Sequence, residues 1–188
     1  MNRQIPIQPA SQEIYFGNFD IIELRTAKTL SILALLVFCV FAQPWKSAGE
    51  GNLTSETVVT VLNQDREHYG LSPLSTNAKL ELAAQAKARH ILSNDYFAHI
   101  SPNGVQPWDF LKAAGIRYEF AGENLAINYT NPYDLEEDFL DSDSHRENLL
   151  SPIFSDIGVA VVSGTFQGKP AIITVQMFAK PLKQLSRN

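Results

Sequence analysis

Two histidines lie in local sequence that could present an imidazole for chemistry. His145 belongs to the run 143–150, Asp-Ser-His-Arg-Glu-Asn-Leu-Leu, and His99 belongs to the run 96–104, Tyr-Phe-Ala-His-Ile-Ser-Pro-Asn-Gly. A neutral imidazole can act as a general base or bind a metal ion, and its state depends on where the fold places it. The surrounding residues therefore decide what these two side chains can do.

The residues around His145 predict the start of a helix. Ser144 and Glu147 have the spacing of a capping box, in which each side chain accepts from the other residue's amide. His145 would then be the first helical residue, at the positive end of the helix dipole, which disfavours the imidazolium. Asn148 and Leu149 follow at i+3 and i+4 and lie on the same face. An ordinary first-turn histidine has the same pattern, so spacing alone leaves both interpretations open.

His99 is predicted to lie on an irregular loop, because a proline and an Asn-Gly pair follow it within five residues. The other two of the four histidines, His68 and His90, fall within helical patterns. We interpret these two as surface or hydrogen-bonded histidines without a role in a site.

Other reactive groups are scarce in this chain. The single cysteine, Cys39, lies in an apolar segment near the N-terminus, and no Gly-x-Ser-x-Gly elbow is present. Covalent catalysis therefore has no obvious nucleophile, and an intramolecular disulfide is impossible. The net charge of −5, without a basic run, argues against nucleic acid as a partner.

The N-terminal residues 1–42 are interpreted as a leader that carries a secretion signal. Arg25 and Lys28 precede the uncharged apolar run 29–42, and the run ends in small residues that suit cleavage after Ala42. The run is shorter than the roughly 20 residues that a membrane-spanning helix needs. We therefore predict a secreted protein, and an uncleaved membrane anchor is the alternative.

Residues 43–53 are predicted to be a linker, residues 54–181 a single domain, and residues 182–188 a tail. Caps and apolar spacing predict five helices in the domain. They cover about 54–69, 77–94, 107–114, 131–140 and 145–150.

Two strands are predicted near the end of the domain. Residues 157–162 and 171–179 are almost continuously apolar, and the glycine-containing segment 163–169 would turn the chain between them. Such strands need cover on both faces, so helices are expected on each side. The chain between Gly115 and Glu123 is predicted as a loop. The acidic residues 136–138 of the fourth helix are predicted to be solvated.

Five segments, in this order, resemble the CAP superfamily, also called the SCP-like or sperm-coating-protein-like extracellular domain, in its compact bacterial form. The segments are Leu62-Asn63-Gln64-Asp65-Arg66 with Leu71-Ser72-Pro73-Leu74, His99-Ile100-Ser101-Pro102-Asn103-Gly104, Gly122-Glu123-Asn124-Leu125-Ala126, Ser142 to Leu150, and Ile157-Gly158-Val159. The resemblance covers about Thr54 to Pro181. It implies an α+β fold, an α-β-α sandwich whose antiparallel sheet is covered by helices on both faces.

The resemblance also implies a central cleft lined by His99, Glu123 and His145, with Asn124 and Asn148 beside them. Two imidazoles and one carboxylate match an open zinc site, so weak Zn²⁺ binding by His99, Glu123 and His145 is expected. The alternative is a polar network in which Glu123 bridges two neutral histidines.

The sequence departs from the family pattern at two positions near the second histidine. Phe139 stands where the family usually has tryptophan, which keeps the aromatic bulk but loses the indole donor. Ser142 stands near the position of a second glutamate in animal and plant members. The absent acid lowers the metal affinity expected of the site.

The function expected from the resemblance is extracellular binding of a small molecule, a lipid, a cell-envelope component or a protein. The alternative is a metal-assisted hydrolase of peptides or cell-envelope polymers, with Glu123 as the base and a metal-bound water as the nucleophile. Contact with a membrane is expected only if the leader stays uncleaved.

Overall fold

A computed structural model describes residues 51–182. The predicted leader, the cleavage after Ala42, the first part of the linker and nearly all of the tail lie outside these residues. Within residues 51–182, no helix combines the length and the apolarity needed to cross a membrane.

All five predicted helices are present. They are α1 (Ser55–His68), α2 (Ala78–Ser93), α3 (Pro107–Ala113), α4 (Pro132–Asp141) and α5 (Asp143–Leu149). The strands are β1 (Ser75–Thr76), β2 (Tyr118–Ile127), β3 (Asp156–Phe166) and β4 (Lys169–Pro181).

Local side chains cap three of the helices, and two of these caps, Asn77 and Asn131, are those that the sequence predicts. Thr54 accepts from the amide of Thr57 at the start of α1, and Asn77 accepts from the amide of Lys79, the second residue of α2. Asn131 caps α4, whose first residue is a proline. A capping side chain bonds to an amide only two or three residues away, so the start of such a helix can be recognised from the sequence alone.

The predicted capping box at Ser144 is wrong. The N-cap of α5 is Ser142, which makes no side-chain cap hydrogen bond, and Asp143 is the first helical residue. The main-chain amide of Arg146 instead donates to the carbonyl of Ser142. His145 is therefore the third residue of α5 and still lies in its first turn.

The predicted loop before Glu123 is also wrong, because this part of the chain forms the strand β2. The strand pairs with β4 in antiparallel register, with Glu123 opposite Met177. Polar residues on both faces, including Asn124, break the alternation by which a half-buried strand is recognised. The pairing is visible only once β4 is in place.

The predicted hairpin is confirmed, and its strands are longer than expected. In β3 and β4 the register runs from Asp156 opposite Ala179 to Phe166 opposite Lys169. The turn is reduced to the two residues between the strands, both with positive φ, as a tight hairpin turn requires.

The sheet has the strand order β1-β3-β4-β2. Its three long strands are antiparallel, as predicted, while the short β1 pairs in parallel with the start of β3. The sheet is therefore mixed, because of this one parallel pair. Strand β2 lies at one edge.

The sheet separates two apolar cores. One core packs α2 and α3 against one face, and the other packs α1, α4 and α5 against the opposite face. Gly158 of β3 allows α2 to pack closely on the first of these faces, since a Cβ there would lie 2.1 Å from the carbonyl carbon of Leu80 in α2. The chain thus forms the predicted α-β-α sandwich.

The acidic residues of α4 are not all solvated, so the prediction for residues 136–138 is wrong in part. Glu136 is fully buried, and its Oε1 accepts from Nε2 of Gln176 at 2.5 Å, while Glu137 and Asp138 are exposed. Glu136 faces the sheet because it lies beside Leu135 and Phe139, and these two residues form the face of α4 that packs against the sheet.

Candidate functional site

Strand β2 places neighbouring side chains on opposite faces of the sheet. Glu123 follows the face of Ala121 and Leu125, which belong to the core with α2 and α3. Asn124 points to the other face, where it meets α5. Residues 121–126 are all buried although β2 is an edge strand, because the His99 loop and α5 lie on its two sides.

His99 and Glu123 form a direct pair. Nδ1 of His99 lies 2.8 Å from Oε1 of Glu123, across 24 positions of sequence. The His99 side chain is 55% exposed, whereas that of Glu123 is 2% exposed. The other carboxylate oxygen of Glu123, Oε2, is buried without a hydrogen-bond partner among the described residues. The accessible imidazole of His99 is thus held by the buried carboxylate of Glu123.

The charge of Glu123 is under opposing influences. Burial raises the pKa of its carboxyl group, while the hydrogen bond from His99 and the positive charge of Lys87 act in the opposite direction. Desolvation is the largest of these effects, so the pKa of Glu123 lies above its ordinary value.

Lys87 lies behind this pair, and no role was predicted for it from the sequence. Its side chain is fully buried, with Nζ 4.0 Å from Oε1 of Glu123. Burial lowers the pKa of Lys87, and the charge of Glu123 opposes that effect. The detectable signal was a lysine on the otherwise apolar line of α2 that includes Leu80 and Ile91.

His90 is hydrogen-bonded, which agrees with its interpretation as a satisfied histidine. Its Nδ1 lies 2.9 Å from the hydroxyl of Tyr96, and burial together with the charge of Glu123 raises the pKa of Tyr96 to about 12. A phenol with so high a pKa stays protonated, so it can donate to His90 while accepting from Lys87.

A second polar group occupies the opposite face of β2. Asn124 is fully buried, and its Nδ2 donates to the carbonyl of His145 at 3.3 Å and to Oε1 of Gln176 at 3.1 Å. Asn148 donates from Nδ2 to Oδ1 of Asn124 at 2.9 Å and to the carbonyl of Glu123 at 3.3 Å. The two asparagines therefore attach α5 to the edge of the sheet.

Gly122 makes this attachment possible. A Cβ at that position would lie 2.6 Å from Oδ1 of Asn148 and 3.0 Å from the ring of Phe154. The glycine of the Gly-Glu-Asn segment therefore has a packing reason that the sequence alone did not show.

His145 is half-buried on α5. Its ring lies 4.8 Å from that of Phe139, centroid to centroid, so the aromatic residue that replaces tryptophan still packs against the histidine. Burial lowers the pKa of His145, and the charge of His99 lowers it further. Burial is therefore the main cause of this lowered pKa.

The arrangement is a poor match to a three-ligand zinc site. Among residues 51–182, no three His, Cys, Asp or Glu side chains are grouped as a metal ion requires. The carboxylate of Glu123 already accepts from His99 and faces a buried lysine, which together suit a polar pair. The two imidazoles remain as the groups that could approach a metal ion, and zinc binding stays a prediction.

The described part of the chain is thus an α-β-α sandwich with a polar cluster at the edge of its sheet, a class that contains the SCP and CAP domains. The family model for CAP, the cysteine-rich secretory protein family, matches residues 59–178. This match covers most of the chain, and the protein belongs to the CAP family.

Two relatives come from Bacillus subtilis (strain 168). The uncharacterized protein YkwD is 38% identical over 105 residues, which are 56% of this chain and 41% of YkwD. The uncharacterized membrane protein YlbC is 29% identical over 120 residues, which are 63% of this chain and 34% of YlbC. The aligned region thus spans less than half the length of either relative.

Solved structures show the same fold. An extracellular protein of Bacillus anthracis str. Ames that contains a SCP domain aligns with a TM-score of 0.58 and 24% identity, over 67% of this chain and 40% of that chain. An outer surface protein of Borrelia burgdorferi aligns with a TM-score of 0.59 and 19% identity, over 71% of this chain and 99% of that chain. At these identities the similarity supports the architecture, and the function must be argued from the site.

Proposed function

We propose that this CAP domain acts outside the cell and binds a ligand in a cleft at the edge of β2. Its lining would be His99, Glu123 and His145, while Asn124 and Asn148, on the other face of β2 from Glu123, join α5 and His145 to that edge. The observation that carries this proposal is the exposed imidazole of His99, held by a buried carboxylate whose second oxygen lacks a hydrogen-bond partner within residues 51–182. A buried polar atom without a partner is costly, so such an atom beside an accessible side chain suggests a site for a ligand.

The chemistry of Glu123 indicates what the ligand must offer. Oε2 is buried behind the exposed ring of His99, so a ligand that satisfies it must reach past that ring with a hydrogen-bond donor, a hydroxyl or amino group. Among the expected classes of ligand, a hydroxyl- or amino-bearing component of the cell envelope suits the site better than a hydrocarbon chain. The site would then recognise polar groups through His99 and Glu123.

The two asparagines differ in their access to such a ligand. Asn124 is fully buried, and protein groups occupy both its amide nitrogen and its carbonyl oxygen. Asn148 is only half-buried. Asn124 therefore serves to position α5 and His145, while Asn148 is close enough to the surface to touch a ligand.

A hydrolase is the second candidate, and the His99–Glu123 pair is the observation that favours it. A carboxylate that orients an imidazole is the arrangement found behind many general bases. The geometry makes His99, rather than the buried Glu123, the group presented to a substrate. A hydrolase would therefore use His99 as the base acting on a water molecule, with Glu123 orienting it.

The binding experiment uses the exported protein with two probes, soluble peptidoglycan fragments and vesicles of phosphatidylglycerol. We expect calorimetry to show saturable binding of the fragments that is lost in His99→Gln and in Glu123→Ala. The variant His68→Gln alters an exposed histidine outside the site and serves as the control. Binding that is absent, or equal in all variants, would refute the proposal, and binding of the vesicles alone would identify a lipid ligand.

The hydrolase alternative is tested on the same fragments by following their cleavage with mass spectrometry. Cleavage by the wild type that disappears in His99→Gln would establish the enzyme. Binding without cleavage would assign the site to recognition.

Export is part of the proposal and is tested separately. Expression of the full chain followed by N-terminal sequencing of protein in the medium should show a mature terminus at Gln43. Recovery of the intact chain in the membrane fraction alone would instead show that the apolar run 29–42 is an anchor.

A further inference from the structure

The fully buried ammonium of Lys87 has no carboxylate within hydrogen-bond distance among the described residues. The nearest described contact with an acid is the 4.0 Å approach to Oε1 of Glu123. A buried cation is costly unless other groups replace its water. The groups that do so reveal what the lysine holds in place.

The main chain beside His99 supplies most of the acceptors for Lys87. Nζ donates to the carbonyl of Ala98 at 3.0 Å and also to the carbonyl of His99. The hydroxyl of Tyr96 lies 3.4 Å from the same nitrogen. All three acceptors belong to the short segment 96–99. Lys87 therefore attaches this segment, which carries His99, to its own helix, α2.

Two aromatic rings complete the surroundings of the ammonium. Nζ lies 5.2 Å from the ring centroid of Tyr96 and 5.7 Å from that of Phe110. Cations over aromatic faces are stabilised most when they are removed from water. These rings therefore help to stabilise the charge of Lys87 in the interior, where no acid of residues 51–182 bonds to it directly.

The position of Lys87 has a consequence for the proton on His99. Nζ of Lys87 lies 4.0 Å from Oε1 of Glu123, the oxygen that contacts Nδ1 of His99 at 2.8 Å. A cation this close to a carboxyl group opposes the effect of burial and favours the ionised form, and an ionised carboxylate can only accept hydrogen bonds. His99 must then donate from Nδ1. In a neutral imidazole the proton on Nδ1 leaves Nε2 as an acceptor.

We infer that Lys87 is a positioning residue that holds the His99 loop and selects the imidazole tautomer with its proton on Nδ1, so that His99 presents an acceptor, Nε2, to the ligand. This inference deepens the proposed function and rests on it for the ligand. A ligand group that meets His99 must then be a hydrogen-bond donor, as must a group that meets Oε2 of Glu123. The site would select hydroxyl or amino groups over carboxylates and phosphates.

The tautomer is measured by nitrogen NMR of the histidine rings without ligand, above the ordinary imidazole pKa of about 6.5. In the wild type we expect the proton of His99 on Nδ1. Lys87→Met should lose this single tautomer, and Lys87→Arg should restore it, since an arginine can donate to the same carbonyls. Lys79→Met, which alters an exposed lysine of the same helix, should change nothing.

A lysine that merely fills space could be replaced by methionine without altering the ring. An unchanged His99 tautomer in folded Lys87→Met would therefore overturn the inference, as would a wild-type proton on Nε2. If Lys87→Met does not fold, hydrogen-bond couplings in the wild type decide. Couplings from Nζ to the carbonyl carbons of Ala98 and His99 support the inference, and their absence overturns it.

These measurements contain no ligand, so they separate the two claims. A wild type with the expected tautomer that binds neither probe would refute the proposed function and leave the role of Lys87 standing. Binding of the fragments, together with an unchanged His99 tautomer in Lys87→Met, would support the proposed function and refute the role of Lys87.

Discussion

Nη1 of Arg66 lies 2.6 Å from the carbonyl oxygen of Leu149, a residue 83 positions away. The same nitrogen donates to the carbonyl of Ser151 at 3.0 Å, and Nε donates to that of Ser72 at 2.9 Å. The buried guanidinium of α1 thus satisfies the last carbonyl of α5, the helix that carries His145, and a carbonyl two residues beyond it. A buried cation therefore binds main-chain carbonyls in each segment that carries one of the two histidines. Lys87 binds the His99 loop, and Arg66 binds the end of α5.

Replacing Arg66 by methionine should destabilise the protein by about 2 kcal/mol or more, because carbonyls that it satisfies would be left without a partner. Urea unfolding measures the change. Arg89→Met removes an exposed arginine and should stay within about 0.5 kcal/mol of the wild type. Equal effects of the two substitutions would contradict the role assigned to Arg66.

Asn124→Ala should destabilise the protein by about 2 kcal/mol, since Asn148, Gln176 and a main-chain carbonyl would each lose a buried partner. The change should also weaken the attachment of α5, which hydrogen exchange of its amides would detect as faster exchange. Asn94→Ala, at an exposed helix end, is the control for the loss of an asparagine. A stability equal to that of the control would show that the network contributes little.

Gly158→Ala should destabilise the protein by about 3 kcal/mol or prevent folding, because the new methyl group would collide with backbone atoms of α2. Gly164→Ala on the same strand is a matched control. There the methyl group would meet the flexible end of Leu92, which can move aside. Thermal unfolding of both variants tests the difference, and similar melting temperatures would mean that α2 can shift away from β3.

His145 should titrate below its ordinary pKa of 6.5, because burial disfavours its charged form. The unfolded chain then binds this proton more readily than the folded protein. Stability from the neutral ring is fully present above pH 6.5 and is lost as the pH falls from there through the lowered folded pKa. NMR titration of the ring gives the pKa directly.

The control for this pH dependence is His145→Asn, whose unfolding free energy should fall less between pH 7 and pH 5 than that of the wild type. A titration at or above 6.5 in the folded protein would contradict the burial of the ring.

Zinc binding is expected to be weak and to depend on both His99 and His145, because Glu123 is already bound by His99. Calorimetric titration with Zn²⁺ at pH 7.5 should give binding that either His→Ala variant abolishes. Binding should weaken at pH 5.5, since an imidazole must be neutral to ligate. The absence of binding, or binding retained in both variants, would remove zinc from the site.

The sequence by itself determined the local features of this fold. The starts of α1, α2 and α4 depend on Thr54, Asn77 and Asn131, whose side chains bond to amides two or three positions away. The β3–β4 hairpin was legible because its two apolar strands are neighbours in the chain. The placement of His99 on a loop follows from its turn-forming neighbours.

Features that require a distant partner were decided by the tertiary structure. Strand β2 is recognisable only through its pairing with β4, and Glu136 of α4 is buried only because Gln176, 40 positions later, meets it across the core. Lys87 looked like a charged interruption of an apolar helix face until the His99 loop brought main-chain carbonyls to its amino group. Local pattern specifies the hydrogen bonds within an element, whereas a buried polar group obtains its partner from the register and packing of other elements.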